Sequence, residues 1–399
     1  MNKVFDFLKG DKAIWVMIMI LSLVSIAEVY SSTSMLAYKY KGGNTVFYML
    51  RHLGFMALGF TVMFLASHFP YKYYHKLAAP MLWTAVVLLL LTLFTGASTN
   101  EARRWFTIPF VGVKFQTSDF AKVALMIYLA KVITKAQESP EALFDGFKKS
   151  IIAIGLVCGL ILPANFSTAF LIGVASLVVL FMGKMKSKWL LSTIGIAIVA
   201  FMLFIAYAKI SGIQSRVGTW SKRIETFFSP KDNHGDDFQA QQSKIAIALG
   251  GIFGKGPGNS QQRNVLPHPY SDFIFAVIVE EGGLAGAIGI IAVYLIFFYR
   301  CIATVKKCET TFPAFLVLGL SLNIILQAVA NMLVAVNITP VTGQPLPFVS
   351  MGGTSMLFNS FAVGVIINVS RYAGKQETVE DIEEKTEVEE IEDYPFIAG

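Results

Sequence analysis

The chain has 399 residues, 55% of them hydrophobic and 15% charged, with a formal net charge of +7. Apolar runs near the ~20 residues needed to cross a bilayer recur along it, which excludes a water-soluble globular protein and predicts an all-α integral membrane protein. Its three cysteines, Cys158, Cys301 and Cys308, present no pair on an oxidising side, so no disulfide framework is expected.

In chain order, the apolar runs predict about ten transmembrane helices, near residues 13–36, 46–67, 77–95, 119–136, 150–165, 167–183, 189–209, 271–299, 312–338 and 348–370. The fifth and sixth are parted only by Pro163, Asn165, Ser167 and Thr168, and can also be read as one long helix. The first run is too long for a signal peptide and lacks a small-residue cleavage site. Basic clusters at Lys3/Lys9/Lys12, Lys72/Lys76, Lys131/Lys135/Lys148/Lys149, Lys184/Lys186/Lys188 and Arg300/Lys306/Lys307 predict that both termini are cytoplasmic. The long stretch from Ser211 to Tyr270 then falls outside. The expected organisation is a cytoplasmic N-terminus over 1–12 and a polytopic domain over 13–371. Its large extracytoplasmic loop, at about 210–270, lies between spans seven and eight, and an acidic tail covers 372–399. Residues 376–399 hold ten acidic side chains and one Lys, a composition that predicts a solvated, disordered appendage. No internal repeat is visible, which argues against a carrier built from two similar halves.

Four polar constellations interrupt this pattern. Glu101-Ala102-Arg103-Arg104-Trp105 reads either as an interfacial anchor or as a guanidinium site for a lipid phosphate. At the start of the fourth span, Asp119 and Lys122 are three residues apart on one helix face, with Ser118 or Thr117 placed to cap the helix. They form a structural ion pair or a cavity-lining pair that holds a diphosphate. The large loop carries Phe238-Gln239, Ser243 and a Gly-rich run, then Asn259-Ser260-Gln261-Gln262-Arg263. Gly254-Lys255 is followed by Gly256, and Leu249 stands where the first glycine of a nucleotide-binding loop would be, so the run is no such loop. His234-Gly235-Asp236-Asp237 reads as an exposed turn rather than a metal site.

The loop then enters an apolar helix with Asp272 at its mouth and Glu280 and Glu281 about 12 Å deeper at ~1.5 Å per residue. Ionisable groups within a span cost roughly 2.5–3.5 kcal/mol each, so they serve pathways, pairs or chemistry. Gly282 and Gly286 have the spacing of a close helix contact. Finally, the stretch from Pro340 to Ser355, with three prolines and three glycines before Thr354, cannot form an unbroken lipid-facing helix. It predicts a polar cavity opening outward.

Together these segments resemble the SEDS family of polytopic peptidoglycan polymerases, from Arg104 to Ser355. The family's Arg-Trp and Gln-Pro-Ser-Glu-x-x-Lys elements are matched by Arg104-Trp105 and by Gln116, Ser118 and Lys122, with Thr117 in place of Pro and Asp119 in place of Glu. Its large-loop ending is matched by Gly256, Gly258, Ser260, Gln262 and Asp272 to Ala276, followed by Glu280 and Glu281. Thr342, Gly343, Leu346, Pro347, Phe348, Ser350, Gly352, Gly353 and Ser355 match the last element, with Met351 in place of Tyr. Asn165 stands where the family favours an acid. Asn259-Ser260 followed by Gln262-Arg263 is similar to the division-type branch rather than the elongation-type one.

The resemblance implies a peptidoglycan glycosyltransferase in a bacterial plasma (inner) membrane, at the division septum. It would polymerise lipid II and release undecaprenyl diphosphate, with inversion at the anomeric carbon. A lipid II flippase and an elongation-type polymerase are the alternatives. Inversion needs one base for the acceptor hydroxyl and charge stabilisation on the leaving diphosphate. Asp272 is the expected base. Arg104, Asp119, Lys122, Gln239, Ser260, Gln262 and Ser350 are expected to line the substrate and diphosphate site. A divalent cation (Mg2+ or Mn2+) is a further group that would neutralise the diphosphate, though no dedicated ligand set is legible. The implied partners are lipid II, the nascent glycan strand, a cognate class B penicillin-binding transpeptidase (FtsI-like) and other divisome proteins, with no nucleic acid and no nucleotide.

Overall fold

The structure, a computed structural model, describes residues 10–95, 97–99, 102–107, 114–210 and 236–392, with side chains of the last helix described as far as Ala373. Glu101, the turn at His234-Gly235 and the side chains of Arg103 and Arg104 lie outside the described residues.

Among the described residues there are twelve α-helices: α1 (Lys12–Ser32), α2 (Ser34–Lys41), α3 (Thr45–His68), α4 (Lys72–Thr95), α5 (Thr117–Ala136), α6 (Pro140–Ile161), α7 (Phe166–Met182), α8 (Ser187–Ile210), α9 (Asp236–Gly250), α10 (Ile274–Lys306), α11 (Thr311–Ala335) and α12 (Thr354–Glu392). Each of the ten predicted apolar runs overlaps a helix, and the first, 13–36, covers most of α1 and reaches into α2. Six are long and apolar enough to cross a membrane: α1, α3, α4, α10, α11 and α12 as far as Ala373. The helix α7 and residues 187–203 of α8 are shorter apolar helices. The all-α expectation needs one amendment, a three-stranded antiparallel sheet between α4 and α5. Its strands are β1 (Ala97–Thr99), β2 (Ala102–Thr107) and β3 (Lys114–Gln116), with Trp105 opposite Gln116.

Local chemistry sets the helix boundaries. Asn165 caps α7 by accepting the Thr168 amide, so α6 and α7 are two helices and not one. Ser139 caps α6, with Pro140 in the first turn, and this helix starts ten residues before the predicted run at 150. Neither Thr117 nor Ser118 caps α5; its N-cap is Gln116, whose side-chain amide donates to Ser118 Oγ at 2.9 Å. The helix α12 continues through Glu392, so residues 376–392 are helical where a disordered tail was expected. The strong helix propensity of Glu accounts for it.

The bundle has α5 at its axis. From Ala121 to Ile127 every residue of this helix is buried, because α4, α6 and α11 surround it. It therefore carries Asp119 and Lys122 into protein rather than lipid. All three cysteines remain free thiols.

The helix α10 is broken. Gly283 has φ 66° and ψ −165°, splitting it into a buried half-helix from Ile274 and a longer segment after the break. The 23 residues from Leu284 to Lys306 rise about 34 Å, enough alone to cross a ~30 Å hydrocarbon core. The expected single span over 271–299, with two carboxylates deep inside it, is thus corrected: Glu280 and Glu281 sit before the break. Against the break lies the Gly-rich loop after α9. A Cβ on Gly283 would stand 2.4 Å from Gly254 N and Ile252 O. The Gly282/Gly286 spacing, by contrast, marks no helix contact, since a Cβ on Gly282 would meet nothing within 4 Å.

Gly283→Ala should therefore destabilise the protein by about 1–3 kcal/mol, because this backbone conformation is essentially confined to glycine, with steric overlap in addition. Gly289→Ala, at an open helical site where a Cβ meets nothing within 4 Å, should be neutral or stabilising by up to about 1 kcal/mol. Thermal melting of the two purified variants compares them; equal melting temperatures would rule out this account of the break.

Candidate functional site

The segment between α11 and α12 is irregular backbone packed among helices, and its polar groups are met one by one. Gln327 Nε2 donates to Pro345 O at 2.8 Å, and Asn331 Nδ2 donates to Gln344 O at 2.8 Å. The Tyr294 hydroxyl donates to Pro347 O. Ser25 Oγ donates to Val349 O at 2.7 Å and pairs with His52 Nε2 at 2.7 Å. Because the Ser25 hydrogen goes to the carbonyl, His52 Nε2 must be the donor in that pair. Gln344 Nε2 reaches Thr168 Oγ1 on α7 at 2.8 Å. Phe348, buried, holds a positive φ of 62° within this frame.

The same frame holds Asp272. Ser350 Oγ accepts from Leu346 N at 2.8 Å and donates to Ser271 O at 2.7 Å. Met351 N donates to Tyr270 O at 2.9 Å. Asn331 Nδ2, besides its bond to Gln344, donates to the Asp272 carbonyl at 2.9 Å. Asp272 itself is half-buried in the turn before α10. Its Oδ1 accepts from Ser271 Oγ at 2.7 Å. Its Oδ2 accepts no hydrogen bond among the described residues and lies 3.5 Å from where a Cβ on Gly343 would stand. The Tyr270 phenol beside it is pushed above the ordinary range, by burial first and the Asp272 charge second, so Tyr270 is no base near neutral pH.

Asp119 and Lys122 form a buried ion pair at 3.0 Å, and Lys122 Nζ also donates to Gln327 Oε1 at 2.8 Å. Gln327 and Asn331 are one helical turn apart on α11, so the pair is joined through that turn to the frame around Asp272. Several buried polar atoms here have no partner among the described residues: Asp119 Oδ2, Asn331 Oδ1, Thr342 Oγ1 and Thr354 Oγ1. Each is costly by roughly 1–3 kcal/mol unless water or a ligand meets it, which marks this end of the bundle as a place for polar occupants.

Glu280 and Glu281 make a separate latch. Glu280 accepts from Lys255 Nζ at 2.8 Å, from the Ser260 hydroxyl, and from the Gln261 and Gln262 amides at 3.0 and 3.2 Å. Glu281 accepts from the Gly258 amide at 2.8 Å, the Ser260 amide at 3.3 Å and the Ser31 hydroxyl of α1. Arg263 Nη1 closes the group by donating to Ser31 Oγ at 2.8 Å.

The expected site residues thus fall into distinct groups. Asp272, Ser350, Asp119 and Lys122 belong to one hydrogen-bonded frame, in which Asp272 Oδ2 and the buried Asp119 Oδ2 accept no hydrogen bond among the described residues. Ser260 and the Gln262 backbone are engaged by Glu280 in the latch. Gln239, half-buried on α9, makes no side-chain hydrogen bond among the described residues. Arg104 lies on β2 beside the half-buried Trp105, with its side chain outside the described residues. Gln327 and Asn331 were missed. Their signal was the polar stripe Asn323, Gln327, Asn331 at fourfold spacing on one face of an apolar helix. Among the described residues no three His, Cys, Asp or Glu side chains gather to hold a metal ion.

Asn331→Ala strips hydrogen bonds from two carbonyls at once. It should destabilise the protein by about 2–4 kcal/mol, at ~1–3 kcal/mol per buried unpaired group with partial relief by water. Chemical denaturation of the purified variant measures this; a change under about 0.5 kcal/mol, typical of surface substitutions, would show that Asn331 is not a hub.

Residues 11–375 match the FtsW/RodA/SpoVE family, described as cell cycle proteins. The chain is 32% identical over 375 residues to a probable peptidoglycan glycosyltransferase FtsW of Trichlorobacter lovleyi, covering 93% of this chain and 95% of that one. It is 29% identical over 371 residues to stage V sporulation protein E of Bacillus subtilis, covering 91% and 97%. Among solved structures it is similar to the rod shape determining protein RodA of Thermus thermophilus, with a TM-score of 0.66 at 22% identity over 91% of this chain and 97% of that one. It is also similar to a chain from work on the structural coordination of polymerization and crosslinking by a peptidoglycan synthase complex. There the TM-score is 0.70 at 22% identity, over 91% and 98%. At those identities the structural likeness establishes the fold, whereas the family match spans nearly the whole chain. On that match, this chain belongs to the FtsW/RodA/SpoVE family.

Proposed function

We propose that this chain is a peptidoglycan glycosyltransferase that polymerises lipid II into glycan strands for septal wall synthesis, with Asp272 as its general base. The observation that carries the site is the state of that carboxylate: one oxygen oriented by Ser271, the backbone clamped by Asn331, the other oxygen unengaged beside Gly343. In the reaction, the acceptor 4-hydroxyl oxygen attacks the anomeric carbon of the donor. The bond from that carbon to the diphosphate oxygen breaks on the opposite face, inverting the centre, and the hydroxyl proton passes to Asp272 Oδ2. The diphosphate departs as an anion and needs no strong acid, so one base suffices.

The roles of the other residues follow from their partners. Lys122 is buried and held by both Asp119 and Gln327, so its task is to fix α11, and through it the carbonyls of Pro345, Gln344 and Asp272. Arg104, on the sheet beside Trp105, is the cation assigned to the diphosphate. The membrane arrangement is ten spans with both termini cytoplasmic, so that Asp272 faces the extracytoplasmic side. The partner is a class B transpeptidase, in keeping with a fold shared with a component of a peptidoglycan synthase complex.

Asp272→Asn keeps the shape and the Ser271 contact but cannot take the proton. Polymerisation of lipid II by the purified protein with its transpeptidase should fall about 10²–10⁴-fold, while lipid II binding persists. Near wild-type polymer would remove Asp272 from the role of base. Normal polymer with lost lipid II translocation would favour a flippase instead.

Reporter fusions test the arrangement. Fusions at Lys186 and Lys307 should report the cytoplasm and one at Asn233 the exterior; a cytoplasmic Asn233 would put Asp272 on the wrong side of the membrane for an external sugar.

A further inference from the structure

A cavity lies at the opposite end of the bundle from Asp272. It measures about 300 Å³ and is lined by Asp11, Arg300, Thr304, Lys307, Ser370 and Arg371, where α1, α10 and α12 meet. Its lining holds three cationic side chains and one carboxylate, and that carboxylate is fully engaged. Asp11 Oδ1 caps α1 by accepting the Ala13 amide at 2.9 Å. Its Oδ2 accepts from Arg300 Nε at 2.8 Å and from Nη2 at 2.7 Å. The Asp11 amide in turn donates to Ser370 Oγ on α12 at 2.9 Å.

Arg300 is thereby held rigidly by one edge of its guanidinium, leaving Nη1 for a further acceptor. Arg371 has no ion pair among the described residues and lies with its guanidinium carbon 5.9 Å from the Tyr372 ring. A pre-oriented arginine fork beside a second arginine suits an oxygen-rich anion. The volume exceeds what a bare phosphate needs. All three helices are apolar enough to span a bilayer, and the cavity lies at their polar ends, the depth of lipid headgroups.

We propose that this cavity binds the phosphodiester headgroup of an anionic phospholipid of the phosphatidylglycerol type, in the leaflet opposite Asp272. The phosphodiester oxygens accept from Arg300 Nη1 and from Arg371, while Thr304, Ser370 and the stem of Lys307 form the walls. Such a lipid would join α1, α10 and α12 at their ends, beside the bonds that Asp11 makes there. The inference rests on the chain spanning a bilayer and not on its being a polymerase.

The full-length protein in phosphatidylcholine nanodiscs, with phosphatidylglycerol admixed in steps, provides the test. Native mass spectrometry counts retained lipid, and thermal melting reports its effect. The wild type should retain phosphatidylglycerol in preference to phosphatidylcholine and melt higher as its fraction rises. Arg371→Gln with Lys307→Gln should weaken that preference roughly 30-fold for the two charges, with unchanged melting in pure phosphatidylcholine. Lys186→Gln with Lys188→Gln removes the same charge outside the cavity and should keep the wild-type preference. Arg371→Gln alone, with part of the effect, serves if the double variant does not fold. Equal retention of the two lipids by the wild type overturns the proposal. So does displacement of the lipid by inorganic phosphate at moderate concentration, or an equal loss in both double variants.

Discussion

Buried irregular backbone needs a hydrogen-bond partner for each polar group, and in a bilayer no bulk water supplies one. The segment from Pro340 to Gly353 is such backbone, and the rest of the site depends on how it is satisfied. Gln327, Asn331, Ser25, Tyr294 and Ser350 each donate to a carbonyl in this segment or beside Asp272. Helices in lipid gain little from the hydrophobic effect between them, so packing and polar bonds of this kind hold the arrangement. The residues that make the loop possible are thus the ones that aim Asp272. Asn331 shows this most plainly, since one amide nitrogen serves both the loop and the carbonyl of the proposed base.

The latch at Glu280 and Glu281 solves the same problem for the large loop. Two carboxylates accept four backbone amides and three side-chain donors between them, tying the loop from Lys255 to Gln262, and Ser31 of α1, to the half-helix before Gly283. The break at Gly283 lets this half-helix part from the span and brings the Gly254 backbone against it. Asp272 is therefore supported from both sides, by the latch through the half-helix and by the Pro-rich loop through Ser350 and Asn331.

Much of this was legible in the sequence, for physical reasons. A helix that crosses lipid must be apolar over most of its length, so the runs located the helices, and Asn165 was correctly placed between α6 and α7. Asp272 stood out because a carboxylate at the mouth of an apolar helix is costly. What escaped were features set by tertiary partners. Gly283 follows the two carboxylates in an otherwise apolar helix, and only the approach of Gly254 reveals the need for positive φ. The Ser260 hydroxyl and the Gln262 amide are taken up by Glu280, some twenty residues on in sequence, while among the described residues the buried Gln262 Oε1 has no partner. The second partner of Lys122, Gln327, lies 205 residues away, beyond any local pattern.

The central claim is that Asp272 Oδ2 receives the acceptor proton. The most direct measurement is a cryo-electron microscopy structure of the Asp272→Asn variant with lipid II and a short glycan acceptor bound. The account predicts the acceptor 4-hydroxyl within about 2.6–3.2 Å of the residue 272 side chain, with the donor diphosphate on the far side of the anomeric carbon, toward β2. An acceptor hydroxyl in contact with a different carboxylate, or a sugar bound away from residue 272, would contradict it.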